Sequence, residues 1–144
     1  MAFALDTTCV VAALCSWHPR HRAVTQEIDL LLQQEPPLIL PAPVLVEAFS
    51  VLTRMPPPHR VSPKVALRAL ADSFRQLAVV ATLDAEAYWA ELESAAANSI
   101  HGGAVHDAII ARCARAAGAT KLLTLNPAHF INLGRGDLLI SVPR

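Results

Sequence analysis

AVHDAIIARCARAAGATKLLTLNPAHF, residues 104–130, decides how this chain folds. After the Gly102-Gly103 break, "AVHDAIIARCARAAGA" reads as a helix, "KLLTL" as a short apolar strand and "PAHFINL" as a helical turn opened by proline. A helix feeding directly into such a strand is one half of an alternating α/β unit. Two polar groups stand out in it. Asp107 lies in the helix's first turn, and Asn126 follows the strand.

The same alternation runs outward in both directions. "AFALD" reads as a strand ending on Asp6, and "TTCVVAALC" as a helix with Thr7 or Thr8 as its cap. A helix is expected over His21 to Gln34, with Val24, Ile28, Leu31 and Leu32 on its inner side. "PPLILP" supplies a strand and "APVLVEAFSVLTR" a helix stopped by the prolines from Pro56 to Pro58. Ser62 caps "SPKVALRALADSFRQL", whose apolar stripe is Val65, Leu67, Leu70, Phe74 and Leu77. "AVVATL" is a strand, Asp84 caps the helix "AEAYWAELESAAANSI", and "DLLISV" is a last strand. Short apolar strands separated by helices imply an α/β fold with a mostly parallel sheet covered on both faces. With no repeat and no linker, residues 1–144 are expected to form a single domain.

Composition narrows the class. The chain is 53% hydrophobic and 17% charged, with a mean hydropathy of +0.39, so part of its apolar surface is expected to be covered by a second copy or a partner. No stretch is long and apolar enough for a membrane span, and no basic segment precedes a hydrophobic run at the amino end, so the chain reads as cytoplasmic. The three cysteines suit reduced thiols. Cys9 and Cys15 sit about 120° apart on a helix, so a zinc site with His18 would need a broken helix. A net charge of zero argues against binding nucleic acid through the overall field. The charges are nevertheless segregated. Arg54, Arg60, Lys64, Arg68 and Arg75 face only Asp72, whereas Asp84, Glu86, Glu91 and Glu93 have no cation between them, which predicts two opposite patches or two solvated faces.

In open α/β sheets, ligands bind outside the carboxyl ends of the strands. Asp6 and Asn126 both fall there, although each also suits a helix cap, Asn126 with Pro127 at the first helical position. Glu47 is the only charged residue in "PVLVEAFSVLT", on a helix expected to be buried on most sides, where a carboxylate needs a partner. Asp107 suits the positive end of its helix dipole. If three such carboxylates meet, each pair repels by roughly 4 kcal/mol at 4 Å in an effective dielectric near 20, and a cation relieves the conflict. An all-oxygen set favours Mg²⁺ or Mn²⁺ over zinc.

These pieces together resemble a PIN domain, and in particular a VapC-type toxin of a bacterial toxin–antitoxin pair. "LDTTCVVAAL", "PAPVLVEAFSVLTR" and "HDAIIARCARAAGATKLLTLNPAHF" carry the resemblance in their order and spacing. It implies a PIN-like three-layer α/β/α sandwich and a Mg²⁺- or Mn²⁺-dependent endoribonuclease whose catalytic residues are Asp6, Glu47, Asp107 and Asn126. The metal would be held by Asp6, Asp107 and Glu47. Members of the family often place a fourth acid in a T-x-D pattern, where this chain has Asn126, which removes one negative charge from the site. Thr7 and Thr124 are candidates to orient the carboxylates, and His106 and His129 read as surface or turn residues. The basic stretch from Arg54 to Arg75 is expected to hold RNA phosphates. The resemblance also implies a VapB-type antitoxin as partner, and a homodimer. The alternative is a catalytically weakened PIN-like domain that binds RNA or protein without cleavage. A phosphohydrolase of the haloacid dehalogenase type is disfavoured, because "DTTC" lacks a second Asp two positions on.

Overall fold

The computed structural model describes residues 1–131, 133 and 138–144. Asn132 of the expected "PAHFINL" turn and Asp137 of the expected last strand lie outside the described residues. The sheet contains β1 (Ala2–Leu5), β2 (Leu38–Pro41), β3 (Ala78–Ala81), β4 (Ala119–Leu123) and β5 (Leu139–Ser141), in the order β3-β2-β1-β4-β5. Every described pairing is parallel, so the sheet is wholly rather than mostly so. All four residues of β1 and of β2 are buried. Successive strand residues point to opposite faces, so both faces of the sheet are covered, as a three-layer α/β arrangement requires.

The strand order places a topological switch beside β1. The chain moves outward from β1 through β2 to β3, then returns across the sheet to β4 on the other side. The crevice at the carboxyl ends of β1 and β4 is where an open α/β sheet binds its ligand. Asp6 follows β1, and Thr124 and Asn126 follow β4.

Helices α1 (Thr7–Leu14), α2 (His21–Gln34), α3 (Ala42–Arg54), α4 (Pro63–Leu70), α5 (Ala85–Ala97) and α6 (Ala104–Ala116) fill the crossovers. Asp6, in extended conformation, caps α1 by accepting from the Cys9 amide at 3.0 Å, so neither Thr7 nor Thr8 is the cap. Ser62 and Asp84 cap α4 and α5 as expected. In α2, Val24, Ile28 and Leu31 are buried, with Leu32 only partly so.

Two expectations about helix faces are corrected. Only Val44, Ala48 and Leu52 of α3 are buried, while Val46 and Glu47 are exposed. One stripe spaced by four residues suffices to dock this helix, and its remaining apolar residues border open clefts. Glu47 therefore sits in solvent and needs no buried partner. On α4 the inward residues are Ala66 and Leu70, followed by Phe74, whereas Val65, Leu67 and Leu77 are exposed. The inward line keeps a spacing of four, Ala66, Leu70 and Phe74, into the π-helical turn Ala71–Arg75, so Val65 and Leu67 fall on either side of it.

The expected acidic face on α5 is also smaller than its sequence implies. Glu91 is buried and accepts from Arg112 of α6 at 2.9 Å. Exposed apolar side chains gather on α5, at Tyr88, Trp89 and Leu92, and on the edge strand β3, at Val79 and Val80. No described helix is long and apolar enough to cross a membrane.

Candidate active site at the carboxyl edge of the sheet

β4 ends at Leu123, so Thr124 lies just beyond it rather than within the predicted "KLLTL" strand. Its hydroxyl is fully buried and donates to Asp6 Oδ2 at 2.5 Å, across 118 residues of chain. The Thr124 hydroxyl oxygen also accepts the Asn126 amide at 2.9 Å. Thr8 mirrors it: its hydroxyl donates to Asp6 Oδ1 at 2.6 Å and accepts the Leu125 amide at 2.9 Å. Asp6 is thus held on both oxygens by hydroxyls that are themselves tied to the segment after β4.

Asp6 is only 3% exposed. Burial pushes its carboxyl above the usual carboxylate range, against the lowering effect of Thr124, Thr8 and the Cys9 amide, and the charge on Asp107 adds to the rise. Asp107, at the start of α6, is likewise raised by burial and by Glu47, while His129 and His106 pull it down. His129 Nδ1 lies 3.5 Å from Asp107 Oδ2. Asp107 thus adds the smallest of the contributions at Asp6, and Glu47 adds to the rise at Asp107.

Among the described residues, no three His, Cys, Asp or Glu side chains converge as a ready-made metal cage. The donor set still fits a hard divalent cation. A carboxylate offers about four lone-pair positions, and three on Asp6 are taken, leaving one on Oδ2. Asp107 carries a partly desolvated charge that Glu47 disfavours further, which a cation would relieve. Mg²⁺ commonly uses only one or two carboxylates and keeps several waters, so a three-acid cage is not required. Soft ligation is disfavoured, because burial and the Asp6 carboxylate push the Cys9 thiol up.

Asp107 and Glu47 open onto a cleft of roughly 1440 Å³ between α3, the turn before α6 and the segment after β4. It exceeds the ~300–1,000 Å³ of an ordinary small-molecule pocket and suits a piece of polymer. His106 and His129 are exposed on α6 and on the turn after β4, as expected, and both line the cleft.

The remaining predicted positions divide. Asn126 is exposed, and its side chain makes no capping bond to the turn Pro127–His129; only its backbone is fixed, by Thr124. The turn starts from a partly extended Asn126, φ −124° and ψ 67°, which differs from the usual capping geometry. The Thr7 Oγ1 is buried with no hydrogen-bond partner among the described residues, and it is Thr8, not Thr7, that orients Asp6. The signal for Thr8 was present in "DTT", where a hydroxyl two residues past a capping Asp reaches back to the carboxylate. Nothing local in the sequence signalled the cleft wall formed by residues 98–101.

The sequence profile of the PIN domain matches residues 3–135. Ribonuclease VapC40 of Mycobacterium tuberculosis is 40% identical over 121 residues, covering 83% of this chain and 82% of that protein. Among solved structures, VapBC2 from Rickettsia felis, bound to a DNA fragment from its promoter, aligns over the whole of both chains with a TM-score of 0.70 and 22% identity. DNA-bound VapBC from Salmonella typhimurium aligns over 99% of this chain and 98% of that one, with a TM-score of 0.67 and 17% identity. These structural likenesses bear on the fold. The sequence match bears on descent, and with the five-stranded parallel sheet and its switch-point acid it places this chain in the PIN domain family.

Proposed function

We propose that this protein is a divalent-metal-dependent endoribonuclease, the toxin of a toxin–antitoxin pair, with Asp6, Asp107 and Glu47 holding Mg²⁺ or Mn²⁺. The observation that carries the reading is the buried Asp6, fixed by two hydroxyls at the sheet's switch point, together with Asp107 and Glu47 lining a large cleft. Asp6 and Asp107 would contact the ion, and the exposed Glu47 would hold its water shell. When bound, the cation supplies a water of lowered pKa and neutralises charge building on the scissile phosphate. The chain's own residues do the rest. Thr8 and Thr124 fix the Asp6 carboxylate, so that no reorganisation is needed as charge develops. His129, in contact with Asp107, keeps that carboxylate oriented towards the cleft. Asn126 offers a neutral amide at the cleft edge in place of a fourth acid.

Kinship with VapC40 and the likeness to VapBC complexes support a VapB-type antitoxin as the protein partner. The exposed apolar side chains of α5 and β3 are the surface that a homodimer would cover. The test is cleavage of RNA by purified protein, free of antitoxin, with EDTA and then with graded Mg²⁺ or Mn²⁺. Cleavage should require the metal, and Asp107→Asn should lower it at least ~10–100-fold while leaving the folded circular dichroism spectrum unchanged. RNA binding without metal-dependent cleavage would restore the alternative of a PIN-like domain that only binds.

A further inference from the structure

We propose that Arg54 anchors a backbone phosphate other than the one being cleaved, and so sets how RNA lies along the cleft; this rests on the cleft being the RNA site. One face of α3 forms a wall of that cleft through Pro43, Val46, Glu47, Ser50 and Arg54. Arg54 is the only Lys or Arg among the described residues lining it. The three ion pairs found among the described residues leave Arg54 out, and its side chain is exposed. A guanidinium with no ion-pair partner among the described residues, in a cleft also lined by Asp107, Glu47 and three histidines, is available to an anion.

The helix fixes where that anion can be. Glu47 and Arg54 are seven residues apart, which puts them on the same side of α3 but about 10 Å apart along its axis. At that spacing they do not neutralise each other, so the cleft has an acidic end and a basic end. A strand whose scissile phosphate lies by Asp107 and Glu47 extends a neighbouring phosphate to Arg54. The fork of a guanidinium, charged at all working pH values, matches phosphate oxygens in pairs.

The other cations of the basic stretch sit elsewhere. Arg60 donates from Nε to the Met55 carbonyl at 2.8 Å, and Arg75 borders a separate apolar groove. Lys64 and Arg68 are exposed on α4 and line neither cavity. The structure thus narrows five candidate phosphate ligands to one.

The experiment measures steady-state cleavage of an RNA oligonucleotide, with Mg²⁺ or Mn²⁺ present, across a range of salt concentrations. Wild type is compared with Arg54→Met, Arg54→Lys and Arg68→Met. Arg54→Met should raise KM about tenfold with kcat within about twofold of wild type, and should reduce the slope of log KM against log salt by about one. Arg54→Lys should retain the slope with an intermediate KM, and Arg68→Met should match wild type. In RNAs carrying one uncharged methylphosphonate, a single non-scissile position should weaken wild type and leave Arg54→Met unaffected. An unchanged KM and salt slope in Arg54→Met overturns the proposal, as does a loss confined to kcat. In either case wild-type cleavage shows that the ribonuclease reading survives; wild type that neither binds nor cleaves RNA overturns both.

Discussion

Replacing Thr124 by valine removes one hydroxyl from a fully buried position at nearly constant volume, and the structure sets what that should cost. Two bonds are lost. The Asn126 amide loses its acceptor, worth about 1 kcal/mol at any pH. Asp6 Oδ2 loses a donor, and a hydrogen bond to a charged group is worth about 1.5–3 kcal/mol, but only while Asp6 is ionised. The folded-state pKa of Asp6 is already raised by burial, and Thr124 is among the groups holding it down, so the variant raises it further. For an acid raised on folding, the favourable contribution is present below the unfolded pKa and is lost as pH climbs through the folded one. The variant should therefore trail wild type by about 1 kcal/mol in acid, with the gap widening to about 2.5–4 kcal/mol once the wild-type carboxyl has ionised. Urea unfolding in EDTA, from the lowest pH at which the protein stays folded up to pH 8, measures this directly. Thr124→Ser should restore most of the difference. A gap that stays constant with pH would refute the reasoning, because it would mean that Thr124 does not bond an ionised Asp6.

The absence of a side-chain cap at Asn126 sets another expectation: Asn126→Ala should change stability by less than about 0.5 kcal/mol, whereas Asp84→Ala, which removes a real cap, should cost about 1 kcal/mol by the same unfolding assay. Breaking the ion pair between α5 and α6 should cost more. Arg112→Met leaves the Glu91 carboxylate in largely dry surroundings, for a loss of about 2 kcal/mol, and Glu91→Met in the same chain should recover most of it, which thermal and urea midpoints of the single and double variants can establish.

The alternation of helix and strand was legible because short apolar strands, proline boundaries and capping residues act locally. α2 and α3 have the bounds their sequences imply, and Ser62 and Asp84 cap as expected. The faces were harder to read. Glu47 looked buried because its neighbours are apolar, yet burial depends on what packs against a helix, and the side bearing Val46 and Glu47 meets an open cleft. The site was readable as a set of acids but not as a geometry. Asp6 and Asp107 sit on elements separated by most of the chain, and the support for Asp6 comes from Thr8 rather than Thr7. Periodicity carries no information about which of two adjacent hydroxyls turns inward. Arg54 was visible only as one of five basic residues, since a cleft shared by three segments has no local signature.

The two hydroxyl contacts that fix Asp6 also impose an order in time. One of them is made by Thr124 and the other is steadied by the Leu125 amide, so the carboxylate nearest the amino terminus is set by residues synthesised more than a hundred positions later. A nascent chain on the ribosome folds its earlier segments first, and contacts of such long sequence separation form late. Until the segment after β4 has emerged and docked beside β1, Asp6 lacks the Thr124 hydroxyl and Thr8 lacks the Leu125 amide. At the proposed site, a chain still lacking the segment after β4 has no positioned Asp6, and that interval is open to an inhibitor before any phosphodiester is at risk.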